Sequence, residues 1–192
     1  MQRHRNMFDI GDLIFQSLKE EAPFNQAVSH SGQQTPTESM ISGINHVGIY
    51  IGQNVVIDST PKEGVIEQTL HDFLASGQRH IVASVNESIV AYRAVQRVKT
   101  CLGAQYNHSF YPNDPGFYCS ELVTYAFKTE HNEDYFEQYP MNFNHVTTKT
   151  LLPFWHHYYQ SLQRAVPQGM MGSHPQQLLR QHHLFRSLRQ WI

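Results

Sequence analysis

The stretch HVGIYIGQNVVIDS, residues 46–59, contains two β-rich runs on either side of Gly52, Gln53 and Asn54. Short runs rich in Val, Ile and Tyr that flank such a turn predict a β-hairpin. Because the strands of a hairpin are antiparallel, the end of the second strand returns to the start of the first. The spacing therefore predicts that Asp58 lies near His46, on two paired strands.

The length and composition are typical of one globular domain. A chain of 192 residues, of which 40% are hydrophobic and 12% aromatic, can bury a sizeable core but is short for two domains. The N-terminus has no continuous apolar region of the kind found in secretory signals. Two cysteines, Cys101 and Cys119, make no disulfide framework. We expect a single domain over residues 1–192 and a cytoplasmic location.

Charge is unevenly distributed along the chain. The net charge is −2, and residues 138–192 carry five cations and no acidic residue, so their +5 leaves −7 for residues 1–137. Five charges without a nucleic-acid motif do not predict a nucleic-acid partner. A basic segment can favour an anionic surface, so contact with a membrane surface is a less favoured alternative. The composition leaves the oligomeric state open.

Two longer segments outside the hairpin also carry a structural prediction. Residues 17–42 are polar and without periodicity, which predicts a long loop. Residues 170–192 predict a terminal amphipathic segment, in which Leu178, Phe185 and Leu188 fall on one helical stripe. We expect this stripe to dock on the domain's own core rather than on a membrane or a second protomer.

Cys119 follows the loop PNDPGFY and begins an apolar helical pattern. Its sulfur should therefore lie over the free N–H groups of a helix start, where a thiolate is favoured and an oxyanion can be held. The alternative is that Cys119 is a small buried hydrophobe, which is how Cys101 is best interpreted.

A thiolate nucleophile needs a base, and the chain has 13 histidines. His46 differs from most of them because it opens the apolar strand VGIYI. Asp58 can orient its imidazole and leave the other ring nitrogen free for the sulfur. Each of these residues alone is more typical of a structural role. Together they predict a Cys/His/Asp set.

The order GDLIF, HVGIYIG followed by VIDS, and YCSELV resembles the YiiX/YebB-like group of permuted papain-like hydrolases in the NlpC/P60 superfamily. The resemblance extends from about residue 11 to 180. It implies an α+β, circularly permuted papain-like (NlpC/P60) fold, with a central antiparallel sheet and packed helices. It also implies that Cys119 is the nucleophile, His46 the base and Asp58 the third member. Glutamate is common at that third position, so the aspartate is a departure.

Tyr106 precedes the cysteine in a loop where the family often has a tyrosine-aspartate pair, and Asn107 replaces that acid here. By resemblance Tyr106 binds substrate or donates to the oxyanion, and a packing role is an equal alternative. Glu121, two residues after Cys119, is interpreted as structural support for the helix start.

The leading functional hypothesis is a cysteine hydrolase that cuts an amide bond, peptide or N-acyl, through an acyl-enzyme. A lipid acyltransferase or thioesterase of the same fold and a non-catalytic binding module are the alternatives. The substrate would be a small molecule, a peptide or another acyl compound. No cofactor is expected, and no metal, because the His-His pairs at 156–157 and 182–183 point to different helix faces.

Overall fold

The computed structural model describes residues 7–19, 22–34 and 40–191. Its strands are β1 (Leu13–Leu18), β2 (His46–Gly52), β3 (Val55–Thr60), β4 (Gly64–Thr69), β5 (Gly77–Val85), β6 (Tyr139–Pro140), β7 (Met171–Gly172) and β8 (Phe185–Trp191). Its helices are α1 (Pro23–Ser31), α2 (Leu70–Ser76), α3 (Ser88–Lys99), α4 (Cys119–Ala126), α5 (Pro153–Ser161) and α6 (Pro175–Arg180), with a 3-10 turn at His182–Leu184.

Within the described residues, one antiparallel sheet organises the molecule, with the strand order β4-β3-β2-β1-β5-β8. The predicted hairpin is present as β2 and β3, in which Ile49 pairs with Ile57. Gln53 and Asn54 connect the strands with φ values of 52° and 57°. These left-handed values suit a two-residue turn whose twist matches the strands. The central antiparallel sheet is therefore confirmed.

The sheet buries both faces because its strands alternate apolar side chains toward each side. On one face Val47 and Ile49 pack with Val95 of α3 and Leu122 of α4 in the largest core cluster. On the other face Ile14, Tyr50 and Val82 pack with Phe73 of α2. A third, largely aromatic cluster lies outside these two layers and includes Phe110, Tyr118, Phe143 and Trp155.

The prediction of a long loop over residues 17–42 was wrong in its middle part. Helix α1 occupies Pro23–Ser31, with proline at its first position, where the missing N–H costs nothing. Its apolar Phe24, Ala27 and Val28 belong to the aromatic cluster. The sequence QAVSHS has no helical stripe of its own, so tertiary packing stabilises a helix that local pattern does not predict.

The helical stripe predicted for residues 170–192 was also wrong. The segment contains β7, the short helix α6 and then β8, which pairs with β5 at the edge of the sheet. It does dock on the core, since Leu178 and Phe185 are buried in the largest cluster. The free backbone groups along β5 need partners, and an extended strand satisfies them where a helix cannot. Among the described residues, no helix is both long and apolar enough to cross a bilayer.

Candidate active site

The hairpin brings His46 and Asp58 into direct contact, as its spacing predicts. His46 Nε2 lies 2.6 Å from Asp58 Oδ2, and both side chains are buried. Gln68 on β4 donates from Nε2 to Asp58 Oδ1 at 2.8 Å, so both carboxylate oxygens have partners. The Asp58 contact occupies Nε2 and leaves Nδ1 as the second nitrogen of the ring.

The imidazole is also held by packing. The ring of Phe73 lies 5.8 Å from the His46 ring between centroids. Gly48, two residues along β2, makes this possible, because a Cβ there would come within 2.7 Å of the Phe73 ring. Ring orientation therefore depends on α2 as well as on the hairpin.

Cys119 is the first residue of α4, as the sequence predicts, and it lines the same cavity as His46. The two side chains are close enough to influence each other, since Cys119 raises the pKa of His46. The segment before Cys119 is fixed to the hairpin, since Ser59, next to Asp58, donates from Oγ to Phe117 O at 2.6 Å. One strand therefore sets the positions of the carboxylate and of the cysteine together.

His46 has a pKa raised to about 10. Burial by itself lowers this pKa, but the hydrogen bonds to Asp58 and Cys119 and the negative charges of both outweigh it. At neutral pH this environment favours the imidazolium form, which is the partner a thiolate requires.

Glu121 supports the start of α4, as interpreted from sequence. Its Oε2 accepts from the Tyr118 backbone N–H at 3.2 Å and from Asn107 Nδ2 at 3.2 Å. Burial raises the pKa of Glu121 to about 7, despite the opposing effect of these hydrogen bonds. Asn107, at the position where the family often has an acid, thus ties the Tyr106 loop to the helix that begins with Cys119.

Cys119 faces a narrow cavity of about 60 Å³. His46, Cys119 and Tyr106 line one part of it. The remaining wall is chiefly apolar, with Phe24, Val28, Phe110, Met141, Phe143 and Trp155. We call this cavity the aromatic chamber. Burial, and then the charge of nearby Cys119, raise the pKa of Tyr106, so its hydroxyl keeps its proton and can donate.

His174 is a second buried histidine in the wall of the chamber. Its Nε2 lies 2.7 Å from Val28 O, and its Nδ1 accepts from the Gln176 backbone N–H. Burial lowers the pKa of His174 to about 4, so the ring is neutral at pH 7. It therefore connects α6 to α1 without bringing charge to the chamber.

Sequence reasoning missed three contributors to the site. The sequence indicated Gln68 only weakly, because Gln68 lies on β4, the strand that pairs with the one carrying Asp58. Phe24 and Val28 had none, because they fall in the segment predicted as a loop. All three are recognised only from the packing around the cysteine.

A solved structure with the same fold is described as metalloprotein yiiX from Escherichia coli O157:H7. It matches with a TM-score of 0.70 at 19% sequence identity, covering 96% of each chain. For this chain, the described residues bring together no group of three or more His, Cys, Asp or Glu side chains that could hold a metal.

Comparison with curated proteins gives no significant match. Residues 8–186 match the family of permuted papain-like amidase enzymes, YaeF/YiiX, C92 family. This match covers most of the chain and agrees with the antiparallel sheet, with the helix that begins at Cys119 and with the order of histidine before cysteine. The chain therefore belongs to the C92 family of permuted papain-like amidases and is a cysteine hydrolase.

Proposed function

We propose that the protein hydrolyses an amide bond through an acyl-enzyme on Cys119, with His46 as the acid and base and Asp58 as the residue that orients His46. The observation that carries this proposal is the position of His46, which is hydrogen-bonded to Asp58 at 2.6 Å and lines the same cavity as Cys119. Contact with a carboxylate on one side and a thiol on the other is what a proton shuttle requires.

In the first half of the reaction, the Cys119 sulfur attacks the carbonyl carbon and a tetrahedral oxyanion forms. We assign its stabilisation to backbone N–H groups at the start of α4 and to the Tyr106 hydroxyl, which lines the same cavity as Cys119. The C–N bond then breaks, the amine takes the proton from His46, and a thioester to Cys119 remains.

In the second half, His46 removes a proton from a water molecule, and the resulting hydroxide attacks the thioester carbonyl. The carboxylic acid leaves, the Cys119 thiolate is restored, and His46 keeps the proton as its imidazolium partner. Acyl transfer to another nucleophile shares the first half and differs only in the acceptor.

The decisive experiment is capture of the acyl-enzyme. Purified protein is mixed with a p-nitrophenyl ester of a short acid, nitrophenol release is followed, and the acylated residue is located by mass spectrometry. We expect a burst of nitrophenol equal to the enzyme concentration and acylation of Cys119.

Three variants complete the experiment. Cys119→Ala and His46→Ala should lose the burst while keeping a wild-type circular dichroism spectrum, because both residues act in chemistry. Cys101→Ala is the matched control and should retain the burst. Acylation of another residue, or a full burst in Cys119→Ala, would refute the proposal. The absence of any burst in the wild-type protein would favour a non-catalytic binding module.

A further inference from the structure

Tyr106 lies in the loop before α4, and its two neighbours in the chain attach that loop to the segment that leads into the helix. On one side, Gln105 O accepts from the Phe117 backbone N–H at 3.0 Å. Gly116 permits this contact, because a Cβ there would come within 2.2 Å of Gln105 O. On the other side the attachment is made by a side chain, that of Asn107.

The side chain of Asn107 is buried, and its amide nitrogen faces two acceptors. Nδ2 lies 3.0 Å from Tyr111 O and 3.2 Å from Glu121 Oε2. The amide oxygen, Oδ1, accepts from Ser109 Oγ at 2.9 Å. Because two oxygens accept at the nitrogen end, that end must carry hydrogens, and an ionised aspartate has none to donate. The position therefore requires an amide.

Glu121 extends this attachment to the nucleophile. Its Oε2 also accepts from the backbone N–H of Tyr118, the N-cap of α4, which directly precedes Cys119. Asn107 is therefore bonded to the first turn of the helix that carries the sulfur. Tyr106 and Cys119 line the same chamber, whereas Asn107 does not line it.

We propose that Asn107 is a positioning residue for the acylation of Cys119, and that it acts by holding the Tyr106 hydroxyl at the oxyanion. This rests on the proposed function, in which Tyr106 and the start of α4 stabilise that oxyanion. Such an interaction forms fully only in the transition state. Loss of Asn107 should therefore slow the chemical step and leave binding of the substrate unchanged.

Stopped-flow kinetics separates the chemical step from binding. Release of nitrophenol from the same p-nitrophenyl ester is followed at several ester concentrations. The burst then gives the acylation rate constant at saturation and the ester concentration at half-saturation. A double-mutant cycle consists of Tyr106→Phe and Asn107→Asp, each alone and both together.

Tyr106→Phe should lower the acylation rate constant by about 100-fold, as loss of an oxyanion donor does. Asn107→Asp replaces the donor with a second carboxylate beside Glu121 and should lower the same constant by at least about tenfold. In both variants the half-saturation concentration should stay within about twofold of wild type. When Tyr106→Phe is already present, Asn107→Asp should have little further effect, because the hydroxyl that Asn107 positions is gone.

A reciprocal exchange tests the bond to Glu121 directly. In Asn107→Asp, Glu121→Gln the glutamine oxygen still accepts from the Tyr118 N–H, and its amide can donate to the carboxylate at position 107. We expect the exchange to recover at least about threefold of the lost rate, and not all of it, because Tyr111 O stays without its donor. Asn107→Ala, which introduces no charge, takes the place of Asn107→Asp in the cycle if the aspartate variant does not fold.

Asn86→Asp is the matched control. Asn86 Nδ2 also donates to a main-chain carbonyl, that of His183 at 2.7 Å, and Asn86 lies between β5 and α3, outside the chamber wall. This variant should keep the wild-type rate constant. Circular dichroism and urea unfolding of every variant show that the fold is retained.

Equal losses from Asn107→Asp with and without Tyr106→Phe would overturn the proposal, because Asn107 would then act independently of the hydroxyl. An unchanged rate constant in Tyr106→Phe would overturn it as well, as would a raised half-saturation concentration at a wild-type rate constant in Asn107→Asp. An exchange variant as slow as Asn107→Asp would overturn the route through Glu121.

These outcomes are distinct from failure of the proposed function. Each of them leaves the burst on Cys119 in place, so that only the positioning role is lost. A wild-type protein without a burst would reject the proposed function, and the positioning role with it.

Discussion

His46 is the residue on which the site depends most, because it contacts Asp58 and Cys119 at once. In the proposed mechanism, Asp58 influences the Cys119 sulfur through the His46 ring. Asp58 and Glu121 are both carboxylates, yet their surroundings differ. Asp58 contacts a group that becomes cationic, whereas Glu121 is buried among neutral donors. Two substitutions test these different roles.

Asp58→Asn should lower the pKa of His46, since the hydrogen bond that His46 donates to Asp58 and the charge of the carboxylate both raise it. A neighbouring carboxylate typically raises such a pKa by at least about one unit. Because the wild-type pKa is about 10, the ring of the variant stays protonated near neutral pH, and we expect the ionisation of His46 in the alkylation profile of Cys119 by iodoacetamide to move down by about one unit or more. The measurement is the alkylation rate against pH in a Cys101→Ala background.

Glu67→Gln is the control for this change, because Glu67 is an exposed carboxylate on the neighbouring strand β4. It should keep the wild-type profile. Identical profiles for Asp58→Asn and wild type would show that Asp58 does not tune the histidine.

Glu121 should make stability depend on pH. Its pKa is raised in the folded protein from 4.5 to about 7, so between these values the folded state binds more protons than the unfolded state. Stability from this group therefore falls as pH rises from about 4.5 to about 7 and is flat above. Glu121→Gln cannot titrate, yet it can still accept from the Tyr118 N–H.

We expect the unfolding free energy of wild type, relative to Glu121→Gln, to decline by about 1–3 kcal/mol across this pH range. Urea unfolding at several pH values measures it. Glu130→Gln, at an exposed position, should leave the wild-type slope in place. An unchanged slope in Glu121→Gln would mean that another group titrates there.

At the level of elements, strand β8 and helix α1 pack around the β2–β3 hairpin and helix α4. Strand β8 covers the edge of β5, and its two arginines reach back to the turn before β1. Asp12 in that turn accepts from Arg189 Nη2 at 2.9 Å and from Ser84 Oγ at 2.5 Å. These bonds hold the turn before β1 against β5 and β8.

The two arginines should contribute unequally to stability. Arg189 pairs with Asp12, whose side chain is 2% exposed, whereas Arg186 pairs with Asp9, whose side chain is 58% exposed. Removing the partner of a buried carboxylate leaves an uncompensated charge. Because Arg189 is itself partly exposed, we expect Arg189→Ala to cost roughly 1–3 kcal/mol.

Arg186→Ala should cost at most about 1 kcal/mol, as exposed pairs do. Both values come from urea unfolding at neutral pH. Equal losses would show that the Asp12 pair is no stronger than a surface pair.

Viewed as a whole molecule, the fold separates two thiols that look alike in burial. Cys101 and Cys119 are both buried, but Cys101 lies in the core and Cys119 also lines the aromatic chamber. Burial raises the pKa of the Cys101 thiol, which makes it inert. Cys119 therefore faces a cavity from which a reagent can approach its sulfur.

Thiol counting tests this difference. Folded protein exposed to iodoacetamide should gain one carboxamidomethyl group, at Cys119, and protein unfolded in urea should gain two. Mass spectrometry of intact protein and of its peptides provides the count and the site. Rapid modification of Cys101 in folded protein would contradict the assignment of the two environments.

The site residues could be predicted from sequence to the extent that their neighbours are local. His46 and Asp58 meet across a two-residue turn, so strand alternation and turn chemistry suffice to pair them. Cys119 stands at a helix start because a Pro/Gly loop ends there and an apolar helical pattern begins. Their joint assignment also needed the resemblance to a family, because no local rule connects residue 119 to residue 46.

The sequence by itself determined the hairpin, the cysteine helix and the order of histidine before cysteine, since each follows from hydrogen bonding and periodicity within a short stretch. Only the tertiary structure decided the chamber, because Phe24, Phe110, Phe143 and Trp155 meet through packing of distant segments. It also decided that α1 is a helix and that β8 is a strand. Those two segments are weakly patterned, so the aromatic cluster and the open edge of β5 select their conformations.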